Sequence, residues 1–189
     1  MTAWRDFEQA EPEFAQRVRA LFDAHRHKTI ATLRADGSPR ISGIETVFED
    51  GELVFGSMPN ARKGADLRRD SRFALHSATV DPVEGSEAQW PGEAKISGRA
   101  IAAGPITEGP DGDRFHADIA VVAHTHLNEA ATMLVVEWWT PARGLRRIER
   151  ELSPVRNIKP CRRGHGQETA AFTSSATFFS TAALHLCSA

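Results

Sequence analysis

Short apolar segments separated by Asp-Gly pairs are the feature of this sequence that most restricts its fold. The segments are residues 29–33, 40–48 and 52–55, and the pairs between them are Asp36-Gly37 and Asp50-Gly51. An Asp-Gly pair between two such segments is a strong signal for a tight β-hairpin turn. The sequence therefore predicts an antiparallel meander in this region.

Later segments continue this pattern and decide the fold class. Further strands are predicted at residues 73–77, 94–102, 119–122 and 133–138, helices at 11–25 and 61–69, and loops at 82–92 and 104–117. Hairpin-connected strands with few helices are typical of a closed or half-closed antiparallel barrel. The sequence has no strand–helix alternation and no glycine-rich dinucleotide motif, which argues against a Rossmann fold.

The composition changes after residue 150 and divides the chain into two parts. The chain has 189 residues, which is enough for one domain with a sizeable core. Residues 1–150 are predicted to form that domain. Residues 151–189 include a stretch rich in Ala, Ser and Thr without helical or strand periodicity, and we expect them to form a poorly ordered tail.

Charge and cysteine content exclude several classes of protein. The net charge of −2 gives no broad attraction to nucleic acids or anionic membranes. Both cysteines, Cys161 and Cys187, follow residue 150, so residues 1–150 are predicted to contain no disulfide framework and no cysteine nucleophile. No apolar run reaches the roughly 18 residues of a spanning helix, and the first residues do not form a signal peptide. We expect a cytoplasmic protein.

The main functional signal is a group of cations and hydroxyls around a predicted helix start. Arg62 and Lys63 open the helix, and Ser57 ends the preceding strand. Arg40 and Ser42 lie two residues apart on a neighbouring strand and therefore share a face. Guanidinium, ammonium, hydroxyl and helix-start N–H groups together suit a phosphate ester. The pattern predicts an anchor for a phosphorylated cofactor.

Two other kinds of site were weighed against this one. His25 and His27 lie near a helix end, and His124 and His126 share a strand face, but no cysteine-rich or His-Glu-x-x-His motif supplies further ligands. We therefore predict no metal site. No serine lies in a nucleophile elbow, so a serine hydrolase is not predicted.

The order and spacing of several motifs resemble the pyridoxamine 5′-phosphate oxidase-like family of split β-barrel flavin and deazaflavin oxidoreductases. The resemblance covers about residues 25–150 and is weaker at 95–99 and 138–147. It is carried by residues 31–42, 53–57, 61–63 and 67–72.

This resemblance implies a mainly β (α+β) fold, a six-stranded antiparallel split β-barrel with a few flanking helices. It also implies a homodimer with FMN in the groove between the subunits. Trp139 would approach the flavin ring from the partner subunit. The cofactor-binding residues implied are Arg40, Ile41, Ser42, Ser57, Arg62, Lys63 and Trp139.

Two positions depart from true pyridoxamine phosphate oxidases. Glu45 occupies a position where they carry a lysine, and Glu93 occupies that of a flavin-contacting glutamine. These differences argue against vitamin B6 as the substrate, but they leave cofactor binding intact.

The expected function is hydride transfer between FMN and a small organic substrate, with no protein acid or base assigned. One alternative is an enzyme that uses the deazaflavin F420, with Arg68, Arg69 and Arg72 contacting its acidic tail. Another is a non-catalytic flavin or haem carrier or sensor. Neither nucleic acid nor membrane is an expected partner.

Overall fold

The computed structural model describes residues 1–105 and 112–152. These residues form three α-helices and nine strands. The helices are α1 (Trp4–Ala10), α2 (Pro12–Asp23) and α3 (Arg62–Arg69), and the strands are β1 (Lys28–Leu33), β2 (Pro39–Ile44), β3 (Thr46–Glu49), β4 (Glu52–Ser57), β5 (Arg72–His76), β6 (Glu93–Pro105), β7 (Asp113–Leu127), β8 (Met133–Thr140) and β9 (Gly144–Glu151).

All nine strands belong to one antiparallel sheet. Its main path runs β2-β1-β5-β6-β7-β4-β3, and β8 and β9 extend it from the second half of β7. The two end strands of the path, β2 and β3, are joined by the single residue Glu45, so the sheet curls until its ends approach. Within the described residues the sheet does not close, and the split-barrel fold is confirmed.

Both predicted hairpin turns are present. Leu33 pairs with Pro39 across the first turn, and Glu49 pairs with Glu52 across the second. The predicted strand 40–48 is instead two strands that meet at Glu45. The reason is that β2 pairs with β1 whereas β3 pairs with β4, so the chain must change direction between them.

Three other elements differ from the sequence prediction. Residues 113–117 belong to β7 rather than to a loop, since they pair with both β4 and β6. Strand β9 is absent from the prediction because its exposed sequence is largely charged. Helix α1 is also absent from the prediction, because its seven residues cover only about two turns, too few to show a helical periodicity.

Helices α1 and α2 cover one side of the core. Their apolar side chains pack with the inward-facing strand residues in one continuous cluster, which includes Trp4, Phe7, Phe14, Val18, Phe22, Ile30, Leu75, Phe115 and Trp139. No helix of the described part is long and apolar enough to cross a membrane. The predicted tail, residues 151–189, lies outside the described residues from 153 onwards.

Candidate functional site

Helix α3 lies very close to the end of β4. A Cβ atom at Gly64 would lie 2.7 Å from Ser57 Oγ and 2.7 Å from Asp113 Oδ2, well inside van der Waals contact. Only a glycine allows this approach without a shift of the helix or of these side chains. Ser57 is 2% exposed, and among the described residues its hydroxyl makes one hydrogen bond, a long one of 3.4 Å to the carbonyl of Met58.

A buried carboxylate connects α3 to the strands beside it. Asp66 accepts hydrogen bonds from Arg40 Nε at 2.6 Å, Thr32 Oγ1 at 3.0 Å and Arg69 Nη2 at 3.1 Å. Burial raises the pKa of the Asp66 carboxyl, but these hydrogen bonds outweigh it and bring the pKa below its ordinary value. The carboxylate therefore fixes the Arg40 guanidinium beside α3.

The first turn of α3 carries unsatisfied donors. Its N-cap residue, Ala61, supplies no side-chain cap, and no acidic residue lies in the first turn. Lys63 donates to the Gly43 carbonyl at 2.6 Å, and burial lowers the pKa of its ammonium, an effect that Glu45 partly offsets. Within the described residues, Arg62 makes no hydrogen bond or ion pair. The helix start thus has more donors than acceptors.

The structure brings together most of the predicted cofactor residues but places two of them elsewhere. Arg40 and Ser42 are half-buried on one face of β2, and Ile41 is exposed on the other. We name Arg40, Ser42, Ser57, Arg62 and Lys63 the α3 site.

Ile41 borders a cavity of about 370 Å³ on the opposite face of the sheet, where Ala31, Leu75, His76 and Lys95 also line the wall. Beside it, His76 Nε2 lies 3.3 Å from a Glu93 oxygen, and Lys95 contacts the same carboxylate. The sequence analysis places Glu93 at the position of a flavin-contacting glutamine but does not predict this group, in which His76 on β5 pairs across the sheet with Lys95 on β6.

Trp139 lies in the core of its own chain. It is 4% exposed, and its ring centroid lies 4.8 Å from that of Phe7. Its neighbour on β8, Trp138, is half-buried. A contact between Trp139 and a partner's flavin remains a prediction, and in the described residues its observed partner is the aromatic core.

A second polar group involves a residue that the sequence analysis did not single out. His124 pairs with Glu137 across β7 and β8, and His126 lies on the same face of β7. One nitrogen of each histidine and one carboxylate oxygen lie within 4.8 Å of one another. We name His124, His126 and Glu137 the histidine cluster. The pairing register of β7 and β8 is the signal that could have located this cluster, because it places Glu137 beside the two histidines.

Comparison with known proteins identifies the family. The pyridoxamine 5′-phosphate oxidase family model matches residues 14–140, which is more than half of the chain, so the chain belongs to this family. No curated protein matches the sequence.

Two solved structures share the fold. PhzG from Burkholderia lata 383, in complex with tetrahydrophenazine-1-carboxylic acid, has a TM-score of 0.55 at 10% identity, over 79% of this chain and 98% of its own. A pyridoxamine 5′-phosphate oxidase-related, FMN-binding protein from Nostoc punctiforme PCC 73102 has a TM-score of 0.50 at 13% identity, over 80% and 98%. At these identities the likeness shows the fold alone.

Proposed function

We propose that the protein is a flavin-dependent oxidoreductase that binds FMN through the α3 site and acts on a small organic substrate. The observation that carries the proposal is the surplus of donors at the start of α3. A phosphate monoester supplies acceptors for Arg62 and the uncapped N–H groups. It also supplies a negative charge for Arg62 and Lys63, neither of which has an ion-pair partner among the described residues. FMN is the first candidate because it is bound by the Nostoc relative on the same fold.

The residues present fit such a phosphate. Arg40 is already oriented by Asp66, so binding would not need to order that side chain. Ser57 offers a buried hydroxyl whose one hydrogen bond to the described part of the chain is long. Two carboxylates, Asp66 and Asp113, lie nearby, but both are compensated by arginines, Asp113 by Arg68.

The face of β2 that carries Ile41 offers a place for the flavin ring. Ile41 is 76% exposed and borders the cavity described above, and β2 is an end strand of the sheet path. A ligand can therefore contact both faces of this strand around its edge. Bound FMN would accept or donate a hydride at its ring, while the protein would orient the ring and exclude water. We include in the proposal a homodimer that covers this exposed apolar face.

The arginines that could receive the acidic tail of F420 are already paired. Arg68 contacts Asp113, Arg69 contacts Asp66 and the Leu33 carbonyl, and Arg72 donates to Asp70 at 2.6 Å. The tail of F420 would therefore compete with these acceptors for the arginines, whereas the phosphate of FMN would meet Arg62, which has no partner among the described residues.

A fluorescence titration of the purified chain with FMN and F420 side by side tests the proposal. Tight FMN binding, followed by bleaching of the flavin with NADH or NADPH, supports a flavin oxidoreductase. Tighter binding of F420 makes the protein a deazaflavin enzyme instead. Binding of neither, or a haem spectrum alone after addition of haemin, overturns the cofactor assignment.

A further inference from the structure

The histidine cluster contains two imidazoles whose tautomers are set by backbone carbonyls. His124 Nε2 lies 3.1 Å from the Pro91 carbonyl, and His126 Nδ1 lies 2.8 Å from the Leu127 carbonyl. A carbonyl oxygen only accepts hydrogen bonds, so each of these nitrogens must carry the proton. The remaining nitrogens, His124 Nδ1 and His126 Nε2, carry the lone pairs when the rings are neutral.

Both remaining nitrogens face one carboxylate oxygen. His126 Nε2 lies 3.2 Å from Glu137 Oε2, and His124 Nδ1 lies 3.8 Å from the same atom. His124 Nδ1 is buried and has no hydrogen-bond partner among the described residues. Two nitrogen lone pairs directed at a carboxylate oxygen repel it. A positive charge between the three side chains would therefore stabilise their arrangement.

Two of the three separations between these atoms are close to those between ligands of one small metal ion, and the third, which is wider, must shorten when the ion binds. Tetrahedral zinc with bonds of about 2.0–2.1 Å has ligand atoms about 3.3 Å apart. Two of the cluster's separations are 3.2 and 3.8 Å, and the third is within 4.8 Å. A backbone carbonyl that accepts the other ring N–H is also the usual support of a metal-bound histidine.

Close packing fixes His124 in this orientation. A Cβ atom at Gly92 would lie 2.8 Å from His124 Nε2 and 2.2 Å from the Thr125 carbonyl, so only glycine lets residues 91 and 92 approach the ring. The side chain of His124 is 5% exposed.

We propose that His124 Nδ1, His126 Nε2 and a Glu137 carboxylate oxygen form a binding site for a first-row divalent cation of the Zn²⁺ class. Two imidazoles and one carboxylate are typical ligands for such ions. Three protein ligands leave a coordination position for water or a small anion. His124 and Arg17 also line a separate cavity of about 270 Å³.

Arg17 is the internal competitor of the metal ion. Its Nη2 atom donates to Glu137 Oε2 at 2.7 Å from α2, so it supplies part of the missing charge. Its side chain is 43% exposed, and it can move into solvent when a cation binds. Removal of this guanidinium should therefore favour the metal.

Isothermal titration of the full chain with Zn²⁺ tests the proposal, with Co²⁺ absorption as the second readout. The wild type should bind Zn²⁺ and show Co²⁺ bands of nitrogen and oxygen ligation. Glu137→Gln and His124→Gln should weaken binding at least about tenfold, because even supporting residues of metal sites cost 10–100-fold. His116→Gln, a histidine on the same strand outside the cluster, is the matched control and should bind as the wild type does.

Arg17→Met should bind Zn²⁺ about tenfold more tightly, since no charged hydrogen bond must be broken. Circular dichroism and thermal melting of each variant without metal separate a folding defect from a lost ligand. Equal affinity in wild type and Glu137→Gln, thiolate-to-cobalt bands from the tail cysteines, or no binding at all would overturn the site. In that case the cluster is held together by the contacts of Glu137 with Arg17 and His126.

Discussion

The α3 site and the histidine cluster are opposites in their balance of hydrogen-bonding groups. At α3, Arg40, Arg68 and Arg69 contact the carboxylates of Asp66 and Asp113. Arg62, Lys63 and the uncapped N–H groups of the helix start add further donors. In the cluster, two imidazole lone pairs and a carboxylate oxygen face one another, with a single guanidinium at their edge. Excess donors favour an anion and excess acceptors favour a cation. The same sheet thus offers two polar sites whose ligands should have opposite charge.

The largest expected effect comes from removing the acceptor that balances the α3 cations. Asp66→Ala leaves Arg40 and Thr32 without their buried partner, and the free energy of unfolding should fall by about 3 kcal/mol. Urea denaturation measures the loss. Asp70→Ala is the matched control because the Asp70 side chain is 28% exposed, against 4% for Asp66, and its partner Arg72 is 61% exposed. An equal loss in both variants would show that Asp66 does not hold α3 against the strands beside it.

The next effect tests the close contact between α3 and β4. Alanine normally stabilises a helix relative to glycine, but Gly64→Ala would place Cβ 2.7 Å from Ser57 Oγ. We expect a loss of about 1–3 kcal/mol in the free energy of unfolding, together with weaker FMN binding.

Gly43→Ala provides the control for this contact, since no atom lies within 4 Å of the Cβ it would add. Its unfolding free energy should change by less than about 0.5 kcal/mol. If Gly64→Ala is as stable as the wild type, α3 is free to move and the α3 site is not preformed.

A smaller effect is expected for the pair of His76 and Glu93, in which one donor and one acceptor balance each other. The hydrogen bond to Glu93 raises the pKa of His76. The hydrogen bond to His76 lowers the pKa of Glu93 to about 2, although burial alone would raise it. Glu93→Gln should lower the His76 pKa, as measured by NMR titration of its ring protons.

The sign of the linked stability change follows from that raised pKa. The His76 contribution is complete below the ordinary histidine pKa of about 6.5 and is lost as pH rises through the higher native value. Glu93 is ionised throughout this range. Wild type should therefore exceed Glu93→Gln in stability by more at pH 5.5 than at pH 8.5. A difference independent of pH would mean that the pair does not couple.

Much of the fold and the α3 site was predictable because their signals are local. The Asp-Gly turns fix two hairpins, and Ser57, Arg62 and Lys63 lie within seven residues of one another. The histidine cluster was not predictable, since Glu137 joins it only through the β7–β8 register. The core position of Trp139 depends on α1, a helix that the sequence pattern does not reveal.

The α3 site can be tested most directly by comparing FMN with riboflavin, which lacks the phosphate. The double variant Arg62→Ala/Lys63→Ala should bind FMN tenfold or more weakly, since charged hydrogen bonds contribute about 1.5–3 kcal/mol each. Its riboflavin affinity should remain at the wild-type value. Arg19→Ala/Arg150→Ala removes the same charge elsewhere and should leave both affinities unchanged. Equal weakening of FMN and riboflavin by the Arg62/Lys63 variant would contradict a phosphate anchor at α3.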